Sequence, residues 1–115
     1  MGSLPYKSFV RIFKRKRPEA VTPEVRVYYS TPFGDTNDGQ QKLFLLEREG
    51  VRYMPVFRSV DSMKQFYALK NRAAYMILEG DIDGLIKTNG SIELLKTVGI
   101  VIEPMSGHPV AIVPD

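Results

Sequence analysis

Several kinds of residue are scarce or absent in this chain, and each absence excludes a class of function. There is no Cys, which excludes a disulfide scaffold, a thiolate zinc site and a cysteine nucleophile. No apolar run approaches the ~20 residues that a membrane span needs. The basic N-terminus also has no continuous apolar stretch of the kind a secretory signal contains. These absences favour a cytoplasmic protein without a metal or cofactor.

Length and composition indicate one folded domain. The chain has 115 residues, of which 43% are hydrophobic and 25% charged, and both values are close to globular averages. A chain of this length can bury a core without help from disulfides or metals. Wholesale disorder is therefore not expected.

Charge is distributed unevenly along the chain. The formal net charge is +3, yet residues 1–18 contain no acid and six basic residues, namely Lys7, Arg11, Lys14, Arg15, Lys16 and Arg17. The remaining residues must therefore carry a net charge of −3. The isoelectric point of about 9.2 is thus a property of the N-terminal arm, and it gives little reason to expect nucleic-acid binding by the body.

The N-terminal arm, residues 4–17, has the pattern of a short amphipathic helix. Its large apolar residues recur at helical spacing with basic residues around and after them: Phe9, Val10, Ile12 and Phe13. Pro18 and Pro23 bracket a linker. The expected organisation is a basic helix over 1–18, a linker over 19–24 and a domain over 25–115.

The first half of the body has the pattern of three strands. Residues 25–29 are rich in β-branched and aromatic side chains, and 31–41 is a loop rich in turn formers. Residues 42–48 and 51–58 are expected to pair as a hairpin about the Glu49-Gly50 turn.

Pro55 interrupts the third of these strands. Because proline cannot donate to a ladder of hydrogen bonds, we expect an edge, a bulge or a bend there. Ser59 then precedes an apolar pattern of helical period and is the expected N-cap of a helix over 60–70. The expected buried face consists of Val60, Met63, Phe66, Tyr67 and Ala74.

The second half of the body alternates short strands with short helices. Asp81 or Asp83 is placed to cap a helical turn that ends at Gly90, and Ser91 is placed to cap a last helix over 92–97. Short apolar runs predict strands over 75–78, 100–102 and 110–113.

The order of these elements predicts the fold class. Runs of strands alternate with single short helices, which indicates an α+β domain. We expect a mixed sheet of about five or six strands flanked by short helices and preceded by the basic N-terminal helix. Such a sheet has at least one open edge, so a homodimer that pairs two edges is a further expectation.

Few residues have the spacing that catalysis or metal binding needs. His108 is the only histidine, and Ser106 and Asp115 are close to it in sequence, whereas triad partners converge from distant segments. Asp81 and Asp83 lack the glycine and the twelfth-position acid of a calcium loop. We therefore assign no catalytic, metal-binding or cofactor-binding residue, and a small hydrolase-like enzyme is only the second alternative.

The N-terminal arm supplies the first alternative function. Its basic side chains could bind phosphate backbones or an anionic lipid surface, weakly and in a salt-dependent way. In the competing interpretation the apolar side of the arm packs on the body and the charges merely face water. The candidate residues are Arg11, Lys14, Arg15, Lys16 and Arg17.

Four short stretches after Lys42 match one family pattern. They are Leu-Phe-Leu-Leu at 43–46, Tyr-Met-Pro-Val-Phe at 53–57, Met-Lys-Gln-Phe after the capping serine, and Gly-Ile-Val-Ile-Glu-Pro at 99–104. In these stretches, over roughly two-thirds of its length, the chain resembles the SseB N-terminal domain family, named for enhanced serine sensitivity. The family usually has Asn where Glu103 stands. The resemblance implies an α+β domain of non-enzymatic role and supplies no catalytic residue.

The main functional prediction is a non-enzymatic interaction module that binds another protein or a second copy of itself. Loops held by a sheet are where recognition usually occurs. The expected surface combines the strand near the proline, the loop over 31–41 and the turn over 103–109. Its candidate residues are Phe33, Asp35, Asp38, Pro55, Glu103, Ser106 and His108.

Overall fold

The computed structural model describes residues 4–5, 11–14 and 26–114, and these residues form ten strands and two helices. The strands are β1 (Leu4–Pro5), β2 (Arg11–Lys14), β3 (Arg26–Tyr29), β4 (Phe33–Asp35), β5 (Gln41–Leu43), β6 (Leu46–Arg48), β7 (Val51–Val56), β8 (Leu78–Asp81), β9 (Gly99–Ile102) and β10 (Val110–Val113). The helices are α1 (Val60–Leu69), between β7 and β8, and α2 (Ile82–Gly90), between β8 and β9.

Six of the described strands form one mixed sheet in the order β1-β6-β7-β9-β10-β2. The two central strands, β7 and β9, run parallel, and β6 and β10 pair antiparallel on their outer sides. The remaining strands form two small sheets, β3 with β8 and β4 with β5. The predicted α+β class and the mixed sheet flanked by short helices are therefore confirmed.

The central sheet buries both of its faces, because alternate residues of each strand point to opposite sides. One face packs against α1 and its aromatic side chains, and its cluster contains Phe44, Leu46, Tyr53, Phe57, Met63, Phe66, Tyr67, Val101 and Ala111. The other face packs against β3 and α2, and its cluster contains Val27, Leu45, Met54, Val56, Ile82, Leu85, Val98, Ile100, Ile102, Val110 and Ile112. This double burial explains why the strands read as nearly continuous apolar runs.

The hairpin between β6 and β7 confirms the predicted turn, but the strand before it is shorter than predicted. Glu49 and Gly50 both have positive φ, 52° and 82°, as a tight hairpin turn requires. The strand expected over 42–48 is broken between β5 and β6. The break falls at Phe44 and Leu45, where the Phe44 N–H donates to the Pro32 carbonyl at 2.7 Å and both side chains are buried.

Pro55 lies inside a central strand and is buried. The ladder between β6 and β7 ends at the Leu46–Tyr53 pair, two residues before the proline. Among the described residues, Pro55 therefore pairs with Val101 of β9 alone. The missing N–H is tolerated because β7 has no second described partner strand at this point.

The predicted helix after Ser59 is confirmed as α1. The Ser59 hydroxyl accepts a hydrogen bond from the Ser62 N–H at 3.1 Å, as an N-cap does. Three of the predicted face residues, Met63, Phe66 and Tyr67, are buried. Val60 is only half-buried, and Ala74 is exposed because it lies beyond the end of the helix.

The second helix begins where the aspartate cap predicted it, at Asp81, whose carboxylate accepts from the Gly84 N–H at 2.7 Å. The helix predicted over 92–97 is wrong, since these residues form turns. So short a helix is marginal without a buried face, and Leu94 in its middle is 72% exposed. Within the described part of the chain, neither helix is long and apolar enough to cross a membrane.

Of the arm predicted to be a helix, the structure describes two segments, and both are strands. Leu4–Pro5 pairs in parallel with β6, and Arg11–Lys14 pairs in parallel with β10. Both segments add to an edge of the central sheet, where unpaired backbone groups favour an extended partner over a helix. The rest of the predicted helix and the linker over 19–24 lie outside the described residues.

Candidate functional site

The region predicted as a loop over 31–41 contains a β-hairpin. Phe33–Asp35 pairs with Gln41–Leu43, and the Thr36 N–H donates to the Gln40 carbonyl at 2.8 Å. The Thr36 hydroxyl donates to the Asp38 carboxylate, and this hydrogen bond lowers the pKa of Asp38. Gly39, with a φ of 86°, completes the turn.

The hairpin is attached to the segment that follows α1. The Ala73 N–H donates to the Asp35 carbonyl at 2.8 Å, and the Asn37 N–H donates to the Asn71 carbonyl at 3.0 Å. The side-chain amide of Asn37 also donates to the Asn71 amide oxygen at 2.7 Å. Residues 71–73 therefore act as a backbone support that holds an otherwise exposed hairpin in one position.

Arg72, in the centre of this support, is only 6% exposed. Its Nη2 atom donates to the Thr31 and Phe33 carbonyls at 2.9 and 3.1 Å, which fixes the start of the hairpin. The guanidinium carbon lies over three aromatic rings, with centroid distances of 4.6, 4.7 and 5.6 Å to Phe44, Tyr67 and Tyr75. Cation–π attraction of this kind is strongest where water is excluded.

Tyr67 and Gly34 lie next to the Arg72 guanidinium, and both are suited to that position. Burial raises the pKa of Tyr67 to about 12, although the Arg72 charge acts in the opposite direction. Gly34 lies against the guanidinium so closely that a β-carbon there would be 2.7 Å from Nη2. Only glycine allows β4 to approach the cation in this way.

The supported hairpin exposes an aromatic ring beside an apolar groove. Phe33 is 52% exposed. The groove next to it has a volume of 260 Å³, and its other lining residues are Pro32, Leu43, Leu45, Arg52, Leu94, Leu95 and Val98. We call this groove, together with Phe33, the Phe33 surface. Most of its lining is aliphatic, which suits an apolar side chain of a partner.

One cation lines the Phe33 surface. Arg52 is exposed on β7, and its guanidinium forms no ion pair or hydrogen bond with the described residues. A charge without a partner at the margin of an apolar groove can pair with a carboxylate of a ligand.

A second hollow, of 550 Å³, lies on the other side of the hairpin and is polar. Lys42 and Lys70 line it together with Asp38. The two ammonium groups lie over the rings of Phe44 and Phe66, at 5.8 and 5.6 Å from their centroids. Each is directed to its own ring, so the hollow does not concentrate positive charge at one point.

Glu103 and Ser106 stabilise the start of α1. The Glu103 carboxylate accepts hydrogen bonds from the Arg58 N–H at 2.6 Å and the Ser62 hydroxyl at 2.9 Å. The Ser106 hydroxyl donates to the Glu103 carbonyl at 2.9 Å. Glu103 has a φ of 52°, a conformation that Asn adopts more readily, so the carboxylate contacts accompany some backbone strain.

The structure does not bring the predicted recognition segments together. Phe33, Asp35 and Asp38 lie on the hairpin, which contacts the chain just after the end of α1, whereas Glu103 contacts its beginning. A helix of 10 residues is about 15 Å long, so the two regions lie at opposite ends of it. Pro55 is buried in the sheet and belongs to neither surface.

His108 lies on an exposed turn. Its N–H donates to the Ser106 hydroxyl at 3.2 Å, and its imidazole has no hydrogen-bond partner among the described residues. Asp115, the acid of the Ser-His-Asp triad considered from the sequence, lies outside those residues. In residues 26–114 and the two N-terminal strands, no group of three or more His, Cys, Asp or Glu is placed to hold a metal ion.

The basic arm is described only in part. Arg11 and Lys14 are the first and last residues of β2, where they pair with Val110 and Val113 of β10. The remaining basic candidates, Arg15, Lys16 and Arg17, lie outside the described residues.

Sequence reasoning missed two residues that line the Phe33 surface and a third, Arg72, that supports it. Arg72 follows a predicted helix without any local pattern that indicates burial, because its partners are about 40 residues away in sequence. Arg52 looks like an ordinary outward residue of a strand. Leu94 lies in the helix predicted over 92–97, and no local pattern in the sequence indicates that it lines a groove.

Comparisons of this chain with known protein families, with curated proteins and with solved structures find no match.

Proposed function

We propose that this chain is a non-enzymatic interaction module that binds a protein segment at the Phe33 surface. One observation carries the proposal: the backbone that bears a half-exposed aromatic ring is held, through Arg72 and residues 71–73, beside an apolar groove. A backbone already held in its bound position loses less entropy on association. Aromatic side chains of this kind are enriched at the centres of protein interfaces.

The chemistry of the groove indicates the kind of partner. An apolar side chain of the partner would fill the aliphatic groove between Phe33 and Leu94. A carboxylate next to it in the partner would pair with Arg52, which has no other charge partner in the described chain. The expected ligand is therefore a peptide segment with a large apolar residue beside Asp or Glu.

Selecting a displayed library of random peptides for binding to the full chain tests this proposal. Wild type should enrich peptides in which a large apolar residue stands beside an acid. The Phe33→Ser variant should lose that enrichment, and Arg52→Glu should select a basic residue in place of the acid. Met105→Ser is the matched control, because Met105 is 56% exposed and lies on the turn after Glu103. Enrichment that survives Phe33→Ser would contradict the proposal.

Binding of polyanions by the arm is the second candidate, and the uneven charge of the chain favours it. Replacing Arg15, Lys16 and Arg17 by Gln keeps β2 and removes half of the positive charge of residues 1–18. We expect this variant to bind heparin and anionic vesicles much more weakly than wild type, and the wild-type affinity to fall steeply as salt is raised.

Deletion of residues 1–18 separates the two interpretations of the arm. Residues 26–114 form two buried clusters among themselves, so we expect the body still to fold and to lose polyanion binding. Circular dichroism of the truncated chain measures whether the body remains folded. If the body unfolds, the arm is a structural element and its charges only face water.

Three further predictions accompany this proposal. The chain belongs to the SseB N-terminal domain family, it is cytoplasmic, and it is not an enzyme. The hairpin of β6 and β7, the capped helix α1 and the buried strand β9 cover the stretches on which the resemblance rests, and this agreement supports the first. The exposed position of His108, without an acid beside it in the described residues, supports the third.

A further inference from the structure

Among the strands that the structure describes, none pairs with the outer edge of the small sheet of β3 and β8. In the described part of the chain, β8 pairs with β3 alone. The side of β3 away from β8 is occupied, because Tyr28 forms a bridge with Phe57. The free side of β8 is therefore the place where this sheet could grow.

Hydrogen bonds show which backbone groups face that edge. The Tyr28 N–H donates to the Phe57 carbonyl at 2.7 Å, and the Tyr28 carbonyl accepts from the Phe57 N–H at 2.9 Å. Both groups of Tyr28 thus point away from β8, so Tyr28 and Glu79 form a non-hydrogen-bonded pair of the antiparallel ladder. The N–H and carbonyl of Glu79 consequently point outward. A strand extended by one residue would direct those of Ile77 to the same side, by alternation.

We propose that this edge pairs with the same edge of a second copy of the chain, which makes a symmetric dimer. Antiparallel pairing about Leu78 places Ile77 opposite Glu79 of the other copy, and the twofold axis repeats that pair. Each of the two pairs exchanges both of its backbone hydrogen bonds. A self-complementary contact of this kind closes at two copies and does not form a fibre.

Side chains on one face of the edge fit this register. Leu78 meets Leu78 of the other copy on the axis, and Met76 lies opposite Gly80. Met76 is 62% exposed in the single chain. Gly80 has no side chain that would obstruct the Met76 side chain of the other copy. The Tyr29 ring lies beside Gly80, since a β-carbon built there would be 3.6 Å from it. The thioether would therefore cover an aromatic ring, which is a favourable contact.

Side chains on the other face of the edge are compatible with the same register. Glu79 is already paired with Arg26 on the neighbouring strand, at 3.0 Å, so its carboxylate does not meet the other copy as an unpaired charge. Ile77 is 43% exposed and would lie beside that ion pair. The edge also lacks the lysines and prolines that protect exposed strands from pairing.

Glu79→Pro tests the proposal in the full chain. Because the Glu79 N–H points away from β3, a proline there removes a donor to the other copy and none to β3. Glu79→Ala is the control, since it removes the same side chain and keeps the N–H. At about 0.1 mM, a concentration suited to so small an interface, wild type and Glu79→Ala should have twice the 13.0 kDa mass by light scattering. Glu79→Pro should have the single mass and keep its circular dichroism spectrum.

A cross-link gives a second test that does not depend on the proline variant folding. The chain has no Cys, so Leu78→Cys introduces a single thiol. Opposite residues of a non-hydrogen-bonded pair have Cα atoms about 4.5 Å apart, within the range of a disulfide. Mild oxidation should convert Leu78→Cys to a covalent dimer and leave Met105→Cys largely monomeric.

Three results would overturn the proposal: a monomeric wild type at that concentration, a Glu79→Pro variant that is folded and dimeric, or equal cross-linking of the two cysteine variants. The dimer and the proposed Phe33 surface fail separately. Phe33→Ser should leave the dimer intact, and Glu79→Pro should leave peptide selection at the groove unchanged.

Discussion

The central sheet and the β4–β5 hairpin are stabilised by different interactions. Each of the strands β7, β9 and β10 buries residues on both faces, and every residue of β9 is buried. In β4 and β5 no residue is fully buried, and the hairpin is held by hydrogen bonds to residues 71–73 and by the Arg72 guanidinium. Apolar burial therefore stabilises the fold, whereas polar contacts position the surface that we propose to bind a partner.

This difference means that the two regions can be disrupted independently. Loss of a buried aliphatic group affects the whole cooperative unit, because both clusters share the same strands. Loss of a contact at the hairpin releases a segment with little buried area, so it should open locally while the sheet stays folded.

The largest expected effect is that of Ile100→Ala in β9. Ile100 is 1% exposed, and such a truncation of a buried isoleucine typically lowers the free energy of unfolding by about 2–5 kcal/mol. Ile92→Ala is the matched control, because Ile92 is 40% exposed, and its effect should stay within about 0.5 kcal/mol. Urea denaturation measures both. Equal losses in the two variants would mean that the central sheet is not the stabilising unit.

A smaller and local effect is expected for Arg72→Met. It removes both hydrogen bonds from Nη2 and the charge over the three rings, while the aliphatic part of the side chain is largely kept. We expect the free energy of hairpin opening to fall by about 1.5–3 kcal/mol. Amide hydrogen exchange should therefore become faster at Thr36 and Asn37 and stay slow at Val101.

Arg58→Met is the control for this change, since the Arg58 side chain is exposed and has no hydrogen-bond or ion-pair partner in the described residues. It should alter exchange at neither place. Faster exchange of Val101 in Arg72→Met would show that the hairpin and the sheet unfold as one unit, which removes the distinction between them.

The same distinction explains which elements could be predicted from the sequence. The strands β7, β9 and β10 and the capped helix α1 were predictable, because apolar runs and a serine cap are local signals. The strand β4 was not, because Phe33–Asp35 is mostly exposed and is held by a side chain 39 residues away from Phe33. Edge pairing likewise determined the extended state of Arg11–Lys14, where the sequence alone indicated a helix.

The residues of the candidate site were likewise predictable only where the signal in the sequence is local. The sequence predicted that Phe33 and its loop form a recognition element but could not separate them from the turn of Glu103, since the distance between them depends on how α1 is placed. Nothing in the sequence near Arg52 or Leu94 shows that they line one groove. Those residues converge only through the tertiary fold.

The smallest expected effect appears only at high pH, at Tyr67, the residue that joins the two regions. Its ring packs in the cluster beneath α1 and also contacts Arg72, and burial raises its pKa from 10.0 to about 12. Above pH 10 the unfolded chain loses this proton while the folded chain retains it, so the stabilisation is complete below pH 10 and is lost as pH rises towards 12. The loss should be about 1.4 kcal/mol by about pH 11. Tyr67→Phe cannot titrate, so its stability relative to wild type should increase by that amount between about pH 8 and 11 in urea denaturation. A difference that stays constant over this range would mean that the hydroxyl is solvated in the folded protein and that Arg72 lies in a wetter site than its contacts indicate.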